Sequence, residues 1–116
     1  VALDPMGVGL IIDAMVEREI AAERCIGIPQ GWKLNGAIKS VEVKLASGAM
    51  VHAGQSMMAR CVGNGKGAPK GNAITIDKQA AGAGKIDPLV ASFIAAAVMG
   101  MNPEAVPRLD VMAMIA

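Results

Sequence analysis

Apolar positions along this chain fall alternately into short runs and helical spacings. Val1, Ala2 and Leu3 form a brief apolar run that stops at Asp4-Pro5. Proline lacks the N–H that a ladder needs and holds the residue before it extended. After a turn through Gly7 and Gly9, Leu10, Ile11, Ala14 and Met15 recur at helical spacing, with Ile20 as an extension, while Asp13, Glu17 and Arg18 take the other side. This predicts an amphipathic helix. Residues 24–28 predict a second short strand, ended by Pro29 and Gly31. Leu34, Ile38, Val41 and Leu45 share one face of a helix over Asn35–Ala46, which Ser47-Gly48 ends. Residues 50–52 predict a brief extended segment and 55–62 another helix, closing at Gly63-Asn64-Gly65.

Residues 63–71 show no periodicity and read as a flexible basic loop, whereas Ala73-Ile74-Thr75-Ile76-Asp77 alternates as a strand should. Gly82 to Gly84 loosens the chain before Asp87-Pro88, the preferred start of a helix, with Asp as N-cap and Pro at the first helical position. That helix, 88–101, is apolar nearly all round and is expected to be buried; Pro103 and Pro107 break it. Residues 106–116 form an apolar tail with no evident partner in the chain. Alternating strands and helices predict an α/β layered fold in one domain, without repeats. Three or four short strands make a thin sheet, which points to strands missing on the N-terminal side. The edge left open predicts self-association into a homo-oligomer.

Length and composition narrow the class. A chain of 116 residues suits one domain with a real core. Hydrophobic residues make up 53% of it, but Ala and Met supply much of that, and Trp32 and Phe93 are the only aromatics. No apolar run reaches the roughly 18 residues of a membrane span, and the start lacks the order of a signal peptide, so a cytoplasmic location is expected. Cys25 and Cys61 are too few and too far apart for a disulfide framework or a zinc site and read as reduced core residues. The net charge of +1 conceals a strong asymmetry: residues 1–30 carry −3, residues 31–85 carry +6 and the remainder −2. A solvated lysine face is the plainer reading of such a block. Its other meaning is attraction to the phosphates of nucleic acid.

Candidate chemistry centres on Asp4, at a strand end, and Asp87, at a helix start. Each has an ordinary structural role, as a turn residue and as a helix cap. Together they can also meet over a hard cation, because Mg²⁺ takes oxygen ligands and two such ions can clamp both oxygens of a phosphodiester displacement. Two carboxylates do not usually hold two ions. Gly7-Val8-Gly9 follows a strand but lacks the third glycine of a dinucleotide fingerprint and any phosphate-loop lysine, so a small nucleotide-binding protein is a poorly supported reading. His52 is the sole histidine and has no placed nucleophile beside it, which favours a structural or DNA-contacting role. Trp32 is expected to pack as a core anchor and the methionines as core filler.

Several uncommon strings carry a resemblance. Gly27-Ile28-Pro29-Gln30-Gly31-Trp32-Lys33-Leu34-Asn35-Gly36-Ala37-Ile38-Lys39, then Val51-His52-Ala53-Gly54-Gln55, Cys61-Val62-Gly63-Asn64, Gly71-Asn72-Ala73-Ile74, Lys78-Gln79-Ala80 and Lys85-Ile86-Asp87-Pro88-Leu89 occur in this order. The chain, over residues 1–105, resembles the C-terminal nuclease domain of the large terminase subunit of tailed bacteriophages and prophages. It departs from the family's pattern at Arg60, where an aromatic residue is usual, and in the glycine-rich, basic segment 65–70.

The resemblance implies a ribonuclease H-like fold, of which this chain is the C-terminal part, and a two-metal endonuclease that cuts concatemeric viral DNA during packaging. Of the family's three acidic residues, Asp4 matches the second and Asp87 the third; the first has no counterpart, and Asp13 and Asp77 lie on other elements. The implied cofactor is Mg²⁺ or Mn²⁺, held by Asp4 and Asp87. The implied partners are double-stranded DNA and, in an intact parent, the terminase small subunit and the portal, with no membrane; the implied setting is the cytoplasm of a bacterial host. Lys33, Lys39, Lys66, Lys70 and Lys85 are the candidates for steering the phosphate backbone. The ATPase motor domain of such proteins is absent from this chain. The alternative is a non-catalytic α/β module that binds DNA or a partner protein, as a decayed prophage remnant.

Overall fold

The computed structural model describes residues 1–77 and 82–104. The expectations for 106–116, and the resemblance at Lys78-Gln79-Ala80, lie outside the described residues. Strand β1 (Ala2–Leu3) pairs in parallel with β2 (Ile26–Gly27), Ala2 opposite Ile26 and Leu3 opposite Gly27. The Ile26 N–H donates to the Val1 carbonyl and the Ile28 N–H to that of Leu3, each at 2.8 Å. Parallel neighbours require a crossover, and helix α1 (Gly9–Val16) lies within it.

α1 is shorter than its spacing predicts. Glu19 takes a left-handed φ of 64°, and the Ile20 N–H turns back to the Met15 carbonyl at 3.0 Å, so Ile20 is not part of the helix. A 3-10 turn at Ala22–Arg24 then shortens the expected second strand to Ile26–Gly27. α1 is only partly covered: Ile12, Ala14 and Met15 are half-buried, none of its residues is fully buried, and Leu10 is 85% exposed.

Helix α2 occupies Asn35–Ala46, as its spacing predicts, and follows a 3-10 turn at Gly31–Leu34. Gly48, at φ +73°, carries the chain away from it, and the Gly48 N–H donates to the Leu45 carbonyl at 3.2 Å. This is the left-handed exit that glycine allows without a Cβ penalty. Residues 50–52 form no strand; the Met50 N–H instead folds back to the Lys44 carbonyl at 3.1 Å. Helix α3 spans Ser56–Asn64.

The segment expected as a loop contains a strand. β3 (Gly67–Lys70) pairs antiparallel with β4 (Ala73–Ile76), Lys70 opposite Ala73 and Pro69 opposite Ile74, around a two-residue turn whose Gly71 has φ +61°. Gly67-Ala68-Pro69-Lys70 carries no alternation of its own; the partner strand supplies the order, and a two-stranded ribbon tolerates proline at an edge. Among the described residues the strands thus form two separate two-stranded sheets, not one. Helix α4 spans Asp87–Met99, with Ile86 at the N-cap position and no side-chain cap, so Asp87 is the first helical residue and Pro88 follows it. The expected N-cap role of Asp87 is therefore replaced by a place inside the first turn, where a carboxylate still favours the helix dipole.

The core forms around α4. Val90, Phe93 and Ile94, at helical spacing, are buried together with Ile28, Leu34, Val41 and Ile86. Ala2 of β1, Ile38 of α2 and Ile76 of β4 pack against them, partly buried. The alanines Ala91 and Ala95 occupy the exposed side, so a helix apolar all round still buries only one face. The end of α3 approaches α4 closely: a Cβ on Gly65 would stand 2.9 Å from Leu89 Cδ2 and 3.3 Å from the Val62 carbonyl oxygen.

Replacing the one core aromatic, Phe93→Ala, is expected to destabilise the chain by about 3–5 kcal/mol, a large share of a domain's stability. Val43→Ala, on the exposed side of α2, should cost under about 0.5 kcal/mol. Urea unfolding of the two variants beside the parent checks both values.

Candidate functional site

Asp4 leaves β1 directly into a turn, and its carboxylate accepts two hydrogen bonds. Oδ1 accepts the Met6 N–H at 3.1 Å, closing the turn at Pro5. Oδ2 accepts from the side-chain amide of Gln30. Gln30 lies two residues beyond Ile28, whose N–H is bonded to the Leu3 carbonyl, so the pair joins the chain just past the carboxyl ends of both parallel strands. That is the edge at which open α/β sheets gather ligands. Asp4 is partly buried there.

Asp87 stands exposed at the start of α4. α4 packs against β1, the strand that Asp4 ends, so the two aspartates sit on neighbouring elements. The sequence-predicted carboxylates are thus both at element termini. Among the described residues, however, no group of three His, Cys, Asp or Glu side chains is arranged to hold a metal ion. As a donor set, the aspartates fall short of a two-metal centre by themselves.

The candidate lysines do not gather at one place. Lys33 and Lys70 line one open groove of about 440 Å³, together with Trp32, Asn35 and Asn72. Lys85 lines a different hollow of about 520 Å³ with Arg60, Asn64 and Pro88. Lys66 precedes β3, at the end of the hairpin away from Lys70, and Lys39 lies exposed on α2. The Asn64 side-chain amide donates to the Lys85 carbonyl at 3.0 Å, which anchors the entry to α4 on the end of α3. His52 is exposed, and its Nδ1 accepts the Gly54 N–H at 3.1 Å, a local turn bond that gives it a structural part.

Compared with known proteins, the chain matches no family, no curated protein and no solved structure.

Trp32 departs most from the sequence reading. It is 57% exposed instead of anchoring the core, and Lys33 Nζ stands 5.9 Å from its ring centroid. Its polar neighbours Gln30-Gly31 and Lys33 left either placement open, and Leu34 takes the buried position itself.

Removing the Gln30 amide leaves one oxygen of a partly buried carboxylate without its donor. Gln30→Ala is expected to lower stability by about 1 kcal/mol, below the value for a fully buried charged bond because water can replace the amide. Leu3→Ile, which leaves that bond intact, should cost less; thermal or urea unfolding of both variants makes the comparison.

Proposed function

We propose that this chain is the C-terminal part of a phage or prophage terminase nuclease domain, of ribonuclease H-like fold, and contributes two of the carboxylates of a DNA-cutting centre. The observation that carries this reading is the placement of Asp4 at the carboxyl end of β1 and of Asp87 at the start of α4, the helix that packs against that strand. The acidic residues of the resembled family sit on the same kinds of element ends. The incomplete donor set fits a centre finished by a third carboxylate from another segment of a longer parent. The exposed Leu10, Ile11 and Val16 of α1 likewise fit a helix that packs on further structure there.

In this reading Asp4, held by Gln30 and the Met6 N–H, is oriented before any ion arrives, and Asp87 starts the helix that packs against the same strand. Mg²⁺ or Mn²⁺ belongs to the completed centre and supplies the charge that a phosphodiester displacement needs. The substrate is double-stranded DNA, and the parent works with the small subunit and the portal in the bacterial cytoplasm. The mixed α/β content supports the layered part of the fold. Among the described residues no helix is long and apolar enough to cross a membrane.

A second reading is favoured by one observation, the basic groove beside an exposed tryptophan: a non-catalytic module that binds DNA through that surface. A Mn²⁺-dependent plasmid-cleavage assay on this chain, beside a version extended N-terminally in its parent gene, separates the two. Cleavage by the extended form alone is the expected result, with Asp87→Asn in that form reduced to background while its unfolding midpoint is little changed. Salt-sensitive DNA binding with no cleavage by either form under any metal condition places the binding module ahead.

A further inference from the structure

The groove that holds Lys33 and Lys70 has walls from three elements. One is the 3-10 turn at Gly31–Leu34, another the start of α2 and the third the tip of the β3–β4 hairpin. The walls are tied together, because the Asn35 Oδ1 accepts the Ile74 N–H at 2.9 Å across the junction. A groove of about 440 Å³ falls within the roughly 300–1,000 Å³ of clefts that hold small molecules. Gly36, one of the lining residues, contributes no side chain, and an added Cβ there would meet nothing within 4 Å.

The lining has a distinct chemistry. It contains an aromatic ring more than half open to solvent, two ammonium groups, two side-chain amides and no carboxylate. An indole held in the open beside lysines offers a flat stacking surface next to positive charge. That combination fits a ligand with a flat ring and an anion one bond network apart, which is what each unit of a nucleic-acid strand presents. A paired duplex keeps its base faces inside the stack and cannot offer one to the ring; an unpaired strand can.

We propose that this groove binds an unpaired stretch of DNA, one base stacked on Trp32 and the neighbouring phosphates held by Lys33 and Lys70. Asn35 keeps the walls in register through its bond to Ile74, and Asn72 offers an amide to the edge of the stacked base. The choice of DNA rests on the function proposed above; the unpaired strand rests on the groove itself. Neither the ion nor the completed carboxylate centre takes part, so binding persists in EDTA.

Trp32 is the only tryptophan in the chain, so its fluorescence reports on the groove alone. The full chain is titrated in EDTA with an oligothymidylate of about ten nucleotides, a length within the site sizes of single-strand binders. The same titration is run with a duplex of equal length and with polyphosphate, which carries charge but no base. Binding to a dye-labelled oligonucleotide is followed by anisotropy for the variants.

The expected result is quenching of Trp32 by the single strand, with little from duplex or polyphosphate. Trp32→Ala should weaken binding about tenfold or more, with Trp32→Phe recovering part of the loss. Lys33→Ala and Lys70→Ala should each flatten the logarithmic salt dependence by about 0.7. Circular dichroism confirms that the variants keep the parent's fold, and Trp32→Phe serves if Trp32→Ala does not. Unchanged Trp32 emission at saturating oligonucleotide, equal quenching by polyphosphate or duplex, or full affinity in both Trp32 variants overturns the proposal. Because no outcome depends on cleavage, a negative result here leaves the nuclease reading to its own assay, and the reverse holds as well.

Discussion

The burial of one face of α4 is the interaction on which the other elements depend. Val90, Phe93 and Ile94 meet Ile28 from the end of β2, Leu34 from the turn before α2 and Val41 from α2 itself. No pair of these elements has enough apolar surface to hold alone: two-residue strands and an isolated hairpin are marginal in water, and helices of 8 to 13 residues lie near or below the length at which a lone helix is stable. Packing on a common helix removes apolar area from water at several places at once, the dominant favourable term in folding. The hairpin joins through Ile76 and β1 through Ala2, each partly buried against the same cluster.

Polar groups then fix what burial leaves loose. Among the described residues no buried side-chain nitrogen or oxygen lacks a hydrogen-bond partner. Side-chain bonds of long sequence separation join elements, among them Gln30 to Asp4, Asn35 to the Ile74 N–H and Asn64 to the Lys85 carbonyl. Each stands at an element end, where hydrophobic packing says little about orientation. The first orients the carboxylate at the strand edge and the second holds the groove walls. The third sets the approach to the helix that begins at Asp87. Local rigidity at both candidate sites thus comes from amide side chains bridging segments that burial alone would leave free to shift.

Much of the element order was legible from spacing. α2 follows from Leu34, Ile38, Val41 and Leu45, and β4 from the alternation of 73–77, because these segments carry their period in their own side chains. β3 was not legible, since Gly67-Ala68-Pro69-Lys70 has no period and becomes a strand only when β4 lies beside it. The exit of α1 at Glu19 was missed because a left-handed glutamate is disfavoured locally and stands only where the surrounding chain requires it. At the candidate site, the positions of Asp4 and Asp87 at element ends could be read from Asp-Pro pairs. The exposed face of Trp32 could not, because an aromatic residue between polar neighbours is equally consistent with either side of a wall.

By itself the sequence determined the charge asymmetry, the mixture of strand and helix, the apolar character of α4 and the presence of an aspartate at each of two junctions, since all of these depend on residue type and local spacing. Only the tertiary structure decided that the described strands form two small sheets, that an oxygen of Asp4 accepts from Gln30, and that Lys33 and Lys70 line one groove together with the exposed Trp32. Residues 33 and 70 are far apart along the chain, and no local preference relates them; packing against α4 and the Asn35 bond bring them together.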